Sequence, residues 1–171
     1  MSELHPSDSA VETTHIVQPP DSNFHGTLFG GRIMAWMDMA AAISASRHCR
    51  ESCVTVAVDD LVFERAIRVG DVVIIRAQVN HTGRTSMEVG VKVFREHPKT
   101  REREHCLTGY FTFVSVDREG RPIPVPAVVP TSEDEHRRFQ NAEERRQQRL
   151  ERVNQRRQMP EESGFHRLPH P

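Results

Sequence analysis

Little in this 171-residue chain points to a membrane, an oxidising compartment or a nucleic-acid surface. No apolar run approaches the ~18 residues that a membrane span needs, so a membrane partner is not expected. Cysteine is scarce. Cys49, Cys53 and Cys106 are an odd number without framework spacing, which argues against a disulfide scaffold and reads as reduced thiols. The first ten residues are polar and lack the apolar stretch of a secretory signal, so a cytoplasmic protein is expected. Neither sign of charge dominates, with 23 Lys and Arg against 24 Asp and Glu. Nothing therefore draws the whole chain to nucleic acid.

What is there fits one compact domain with tails. Residues 1–10 are expected to be disordered, 11–130 to form the domain, 131–158 a charged helix and 159–171 a flexible tail. Val11 to Val17 reads as a short edge strand, stopped by Pro19 and Pro20. From Ile33 to Ser46 there is neither Gly nor Pro, and Ala, Met and Trp dominate. This composition predicts a helix over 32–48, with Arg47 and His48 suited to its negative pole. It is apolar nearly all round, so burial on most faces is expected.

The period then changes from helical to two. Val54, Val56 and Val58 alternate with Thr55, Ala57 and Asp59, a strand pattern. Residues 71–80 and 85–94 read as an antiparallel hairpin joined by His81-Thr82-Gly83-Arg84, and 106–116 as a further strand. The proline-spaced segment 122–130 is unsuited to a central strand. One helix and several consecutive antiparallel strands give an α+β class, most economically a curved sheet folded around the helix. Thr131-Ser132 with the acids after it marks the start of the charged helix. Glu143 to Gln158 is Arg, Glu and Gln with few aliphatic residues, which reads as a solvated face. His166 and His170 lack partner ligands, and no metal is expected.

Asp38 is the most informative position. It lies mid-helix, with Met34, Ala35, Ala41 and Ala42 as its neighbours at three and four residues. A carboxylate there has no cap role and no basic partner on its own helix. Burying it unpaired costs several kcal/mol or forces its pKa upward. It is either a structural aspartate at a subunit contact or a carboxylate held in a desolvated cleft as base or nucleophile. A second constellation is Asn23 to Gly31. Gly30 and Gly31 stand where the helix begins, so their amides point outward with little steric cover. Such an end can polarise a carbonyl; equally, the glycines can serve only a tight turn, and Asn23 only an Asx-turn. Eight residues separate Gly30 from Asp38, or ~12 Å along a helix. If both act on one carbonyl, one of them comes from a second copy.

The chain resembles the hotdog-fold acyl-CoA thioesterases. The matching stretches are Asn23-Phe24-His25-Gly26-Thr27-Leu28-Phe29-Gly30-Gly31, Met34 to Ala40 with Asp38, and Arg47-His48-Cys49. Further on come Val54 to Asp59, Gly83-Arg84-Thr85-Ser86-Met87-Glu88 and Pro122 to Pro126. The resemblance implies a hotdog fold, in which an antiparallel sheet wraps a long central helix and two copies pair, often as a trimer of dimers. It implies hydrolysis of acyl-CoA to a free carboxylic acid and coenzyme A without a further cofactor. Asp38 would activate water or attack the thioester, Asn23 would act from the facing subunit, and the Gly30 amide would polarise the carbonyl. Gly31 and the turn Gly83, Arg84, Thr85 and Ser86 would bind substrate, with Arg84 a phosphate partner. Thr27 and Phe29 depart from the vertebrate member, so acyl selectivity does not carry over. The rival is an acyl-CoA-binding module without catalysis, although no DNA-reading helix pair precedes residue 20. Hydratase chemistry would recruit an Asp/His pair, for which His25 and His48 are available but not suggestively spaced.

Overall fold

A computed structural model describes residues 3–59 and 61–158. The expected tail over 159–171, with His166 and His170, lies outside them. The elements are β1 (Val11–Ile16), α1 (Gly30–Cys49), β2 (Ser52–Asp59), β3 (Val72–Thr82), β4 (Ser86–Glu96), β5 (Arg103–Val116) and α2 (Glu133–Gln158). The strands form one antiparallel sheet in the order β1-β3-β4-β5-β2, so β1 and β2 are its edges. Sequence periodicity placed each element to within a few residues, and segment 122–130 joins only through isolated bridges.

Period-two alternation sends Val73, Ile75, Ala77 and Val79 of β3 and Met87, Val89, Val91 and Val93 of β4 to the concave face. Phe111 and Phe113 of β5 continue that face through the pairs Val89↔Phe111 and Met87↔Phe113. Against it α1 buries Ile33, Trp36, Met37, Ala40, Ala41, Ser44, Ala45 and His48, and all five strands touch the helix. Gly109 of β5 leaves room for Met37, since a Cβ there would stand 3.0 Å from Met37 Cε. On the edge, Trp36 stacks on His15 of β1 with ring centroids 4.3 Å apart. The result is the curved α+β hotdog architecture: a sheet curled around one long helix.

Three features depart from the sequence-based expectation. The stretch expected to be disordered contains a 3-10 turn, Pro6–Ser9, docked against β3. There the buried Ser9 hydroxyl donates to Pro6 O (2.7 Å) and accepts from Val79 N (2.9 Å). Satisfying a ladder amide in this way pins the segment. Second, α1 leaves one face open: Met34, Met39 and Ile43 are exposed.

Third, the arginine-rich part of α2 is exposed along most of its length, as expected, but one side of it faces the sheet rather than solvent. The helix lies on the convex face of the sheet and docks through charge. Arg145 grips the buried Glu88 with two hydrogen bonds of 2.7 and 3.1 Å, and its guanidinium sits 3.5 Å over the Tyr110 ring. Arg149 and Arg152 both pair with Asp59 at the end of β2. The start of α2 is a capping box, as the sequence suggested. Glu135 N donates to Ser132 Oγ (3.3 Å), while the Glu135 carboxylate accepts from Ser132 N and from Thr131 N and Oγ1.

Candidate active site

Asp38 projects from α1 toward β2, where the Thr55 hydroxyl donates to its Oδ1 at 2.8 Å. The aspartate is half-buried, and among the described residues Thr55 is its one hydrogen-bond partner and no basic side chain pairs with it. A carboxylate placed so keeps lone pairs for a proton from water or for a carbon centre. The register of β2 on β5 shifts between Thr55 and Ala57, a bulge of the kind that re-aims side chains beside functional sites. Around the pair, Met34 and Met39 of α1 and Val54, Val56 and Val58 of the edge strand are exposed, Val56 by 54%. An unpaired apolar edge beside an open apolar helix face is a surface made to be covered. Thr55 was not singled out in the sequence, where it is one polar member of an alternating strand. No local signal marks it; only the fold sets it opposite Asp38.

Asn23 shapes the loop before α1. Its Oδ1 accepts from the amides of His25 (2.9 Å) and Thr27 (3.2 Å), and its Nδ2 donates to Thr27 Oγ1 (3.0 Å). Phe24, at the loop's tip, is 93% exposed. The Phe29 carbonyl accepts from Arg32 N (2.9 Å) and Ile33 N (3.2 Å). The Gly30 and Gly31 amides have no acceptor among the described residues, which leaves two donors at the positive end of the helix. Gly31 has a packing reason too. A Cβ there would stand 2.5 Å from Phe29 Cε1. Within one protomer, Gly30 and Asp38 remain ~12 Å apart along the helix axis.

The turn between β3 and β4 is closed by Gly83 N donating to Ser86 O (2.7 Å). Its backbone also receives Val125 N at Arg84 O and Ser115 N at Thr85 O, both at 3.0 Å, and the Arg84 side chain is exposed. Ser86 pairs with Val114, which pairs with Val54. Two strand spacings, about 10 Å, thus separate the turn from the residue preceding Thr55. The fold therefore brings Gly83, Arg84, Thr85 and Ser86 to the same end of the sheet as Asp38 and Thr55. Asn23, Gly30 and Gly31 stand at the other end of that reach.

The two histidines lie apart. His25 belongs to the loop before α1, whereas His48 sits in the last turn with Nε2 hydrogen-bonded to Pro126 O at 2.9 Å. His48 anchors the proline-rich segment, and neither ring is hydrogen-bonded to Asp38.

Residues 25–102 match the family model of the thioesterase superfamily. An uncharacterized acyl-CoA thioester hydrolase of Bacillus subtilis is 47% identical over 128 residues, 75% of this chain and 74% of that one. The rat cytosolic acyl coenzyme A thioester hydrolase is 39% identical over 81% of this chain, which spans 37% of that longer protein. Among solved structures, an acyl-CoA hydrolase from Bacillus cereus superposes with a TM-score of 0.87 at 42% identity, covering 91% of this chain and 95% of that one. A hexameric acyl-CoA thioesterase gives 0.86 at 38% identity, covering 90% and 98%. The Staphylococcus aureus acyl-CoA hydrolase, solved with butyryl coenzyme A and coenzyme A, gives 0.86 at 33%, covering 92% and 96%. That enzyme has also been solved with alanine replacing an asparagine, an aspartate or a threonine. These three are separated along its chain just as Asn23, Asp38 and Thr55 are here. The chain belongs to the hotdog thioesterase superfamily.

Proposed function

We propose that this protein hydrolyses acyl-CoA thioesters, releasing a free carboxylic acid and coenzyme A. The observation that carries the reading is Asp38, a carboxylate among methionines and alanines whose one hydrogen-bond partner among the described residues is a neutral hydroxyl. Thr55 orients the carboxylate without neutralising it. In the step we infer, Asp38 takes a proton from water as the water oxygen attacks the thioester carbonyl carbon. The Gly30 amide stabilises the oxyanion that develops. The C–S bond then breaks and coenzyme A leaves as thiolate, which takes up the proton. Asp38 as direct nucleophile uses the same geometry with an acyl-enzyme in between.

Helix length argues for a shared site. With Gly30 and Asp38 ~12 Å apart on one rigid helix, a single carbonyl meets both only when they come from two antiparallel copies. Asn23 then joins from the same protomer as Gly30, and pairing covers the exposed face of α1 and edge β2. A homo-oligomer follows, and a trimer of dimers accords with the hexameric relative. Gly31 and the turn Gly83 to Ser86 contact the coenzyme A portion, Arg84 through a phosphate. A cytoplasmic setting suits this substrate, as it does the cytosolic rat relative. The chemistry is complete with water, a carboxylate and an amide, so neither metal nor further cofactor enters.

A thiol-release assay over acyl-CoAs of increasing chain length tests this. Asp38→Ala is expected to lose at least ~100-fold in turnover with an unchanged circular-dichroism spectrum, and chelator to leave the wild type unaffected. Full activity in that variant, or tight acyl-CoA binding by the wild type without thiol release, overturns the reading.

A further inference from the structure

Cys49 closes α1 and Cys53 lies near the start of β2, and the chain between them reverses direction. Arg50 makes that possible by adopting a left-handed backbone (φ 59°) at the helix C-cap, its N–H donating to Ser46 O at 2.8 Å. The reversal brings the two sulfurs to 3.0 Å. Sequence spacing alone read these cysteines as unrelated reduced thiols. A carbonyl accepts from both: Glu51 O lies 3.4 Å from Cys49 Sγ and 3.6 Å from Cys53 Sγ. Within one protomer Cys53 is half-buried, whereas Cys106, on another strand, is buried with Glu104 O as its acceptor.

We propose that Cys49 and Cys53 form a reversible intramolecular disulfide, and that this bond restrains hydrolysis by fixing β2 to the end of α1. A disulfide requires the sulfurs to close to ~2.05 Å, roughly 1 Å nearer than they stand. In the proposed closure the start of β2 is drawn toward the helix, and Thr55 is two residues further along β2. Its 2.8 Å bond to Asp38 is the contact such a shift disturbs. The oxidant class is a peroxide. One thiol gives up its hydrogen as hydrogen peroxide oxidises it to a sulfenic acid, releasing one water; the second thiol displaces the hydroxyl, releasing another. Burial first, and then the adjacent Cys49 thiol, push Cys53 up to about 12.

The second half of the proposal rests on the hydrolase reading above, the first does not, and the experiment separates them. The full-length reduced protein is treated with hydrogen peroxide, and its thiols are counted after denaturation. The count is expected to fall from three to one per chain, without cross-linked chains on a non-reducing gel, and to return with dithiothreitol. In Cys53→Ser both remaining thiols should persist. Three surviving thiols, loss of Cys106, or bonds between chains would overturn the site. Turnover of the oxidised wild type should fall about tenfold and recover on reduction, while Cys53→Ser holds its rate. A disulfide that forms with turnover unchanged overturns the restraint alone and leaves the hydrolase reading standing.

Discussion

The Thr55 hydroxyl reaches across from the edge strand β2 to Asp38 on α1, 2.8 Å away, and is the one described hydrogen bond the carboxylate has. Helix and strand thus meet at a carboxylate that is held in place yet uncompensated in charge. A hydrogen bond to a charged group contributes about 1.5–3 kcal/mol. Thr55→Ala should therefore lower kcat roughly 10- to 100-fold, through loss of aim rather than loss of fold. Thr55→Ser keeps the hydroxyl and should keep most of the rate. Equal losses in the two variants would mean that the methyl group's packing, not the hydrogen bond, matters.

If each site draws Asn23 from one protomer and Asp38 from its partner, two inactive variants repair each other. Asn23→Ala and Asp38→Ala, unfolded together and refolded as an equal mixture, form half their dimers as heterodimers with one intact site of two. About a quarter of wild-type activity should then return. Activity no greater than the mean of the separate variants would place both residues in one chain's own site.

Much of this was legible because it was local. The uninterrupted Ile33 to Ser46 run implied a buried helix, and the odd residue inside it, Asp38, stood out against its own neighbours. The hairpin announced itself by alternation around Gly83. Thr55 carried no such mark, since a threonine on the polar face of a strand is ordinary until a helix is laid against it. The run of arginines after Glu143 read correctly as largely solvated, but its docking contacts were hidden for a related reason. Its partners, Glu88 and Asp59, lie 57 and 90 residues earlier, and no spacing rule spans that distance. The paired cysteines were hidden by the helix end: four residues apart, they meet only because the chain turns back at Arg50.

Glu88 and Arg145 give that docking a measurable weight. The Glu88 side chain is 2% exposed and that of Arg145 18%. Removing one member of such a pair strands the other and should cost about 3 kcal/mol. Glu88→Leu is expected to lower the urea midpoint accordingly, with kcat per folded molecule little changed. Adding Arg145→Met should recover a large part of the loss, because a well-packed apolar pair avoids the desolvation of both charges. A double variant as unstable as the single one would place the energy in Arg145's other contact, the Tyr110 ring.

The seat of α2 should also respond to pH through His81. Its ring packs on Phe139 of α2 with centroids 4.7 Å apart and is buried. Burial, and then the charge of Arg146, hold its pKa below the ordinary 6.5, with Arg149 adding to and Glu143 and Glu88 opposing the effect. The unfolded chain therefore takes up the proton first as pH falls. Above 6.5 both states are neutral and the residue adds no slope. Below 6.5, down to the lowered folded value, stability is lost with decreasing pH by at most about 1.4 kcal/mol per unit. His15, also lowered by burial against the opposing charge of Asp21, adds to the same trend. His81→Phe keeps an aromatic ring against Phe139 and removes one of the two titrations. Urea unfolding from pH 8 to 5.5 should show the wild type declining more steeply than this variant below 6.5 and in parallel with it above. Identical slopes across the whole range would mean that His81 takes its proton as readily folded as unfolded, and that the contact with Phe139 is open to water.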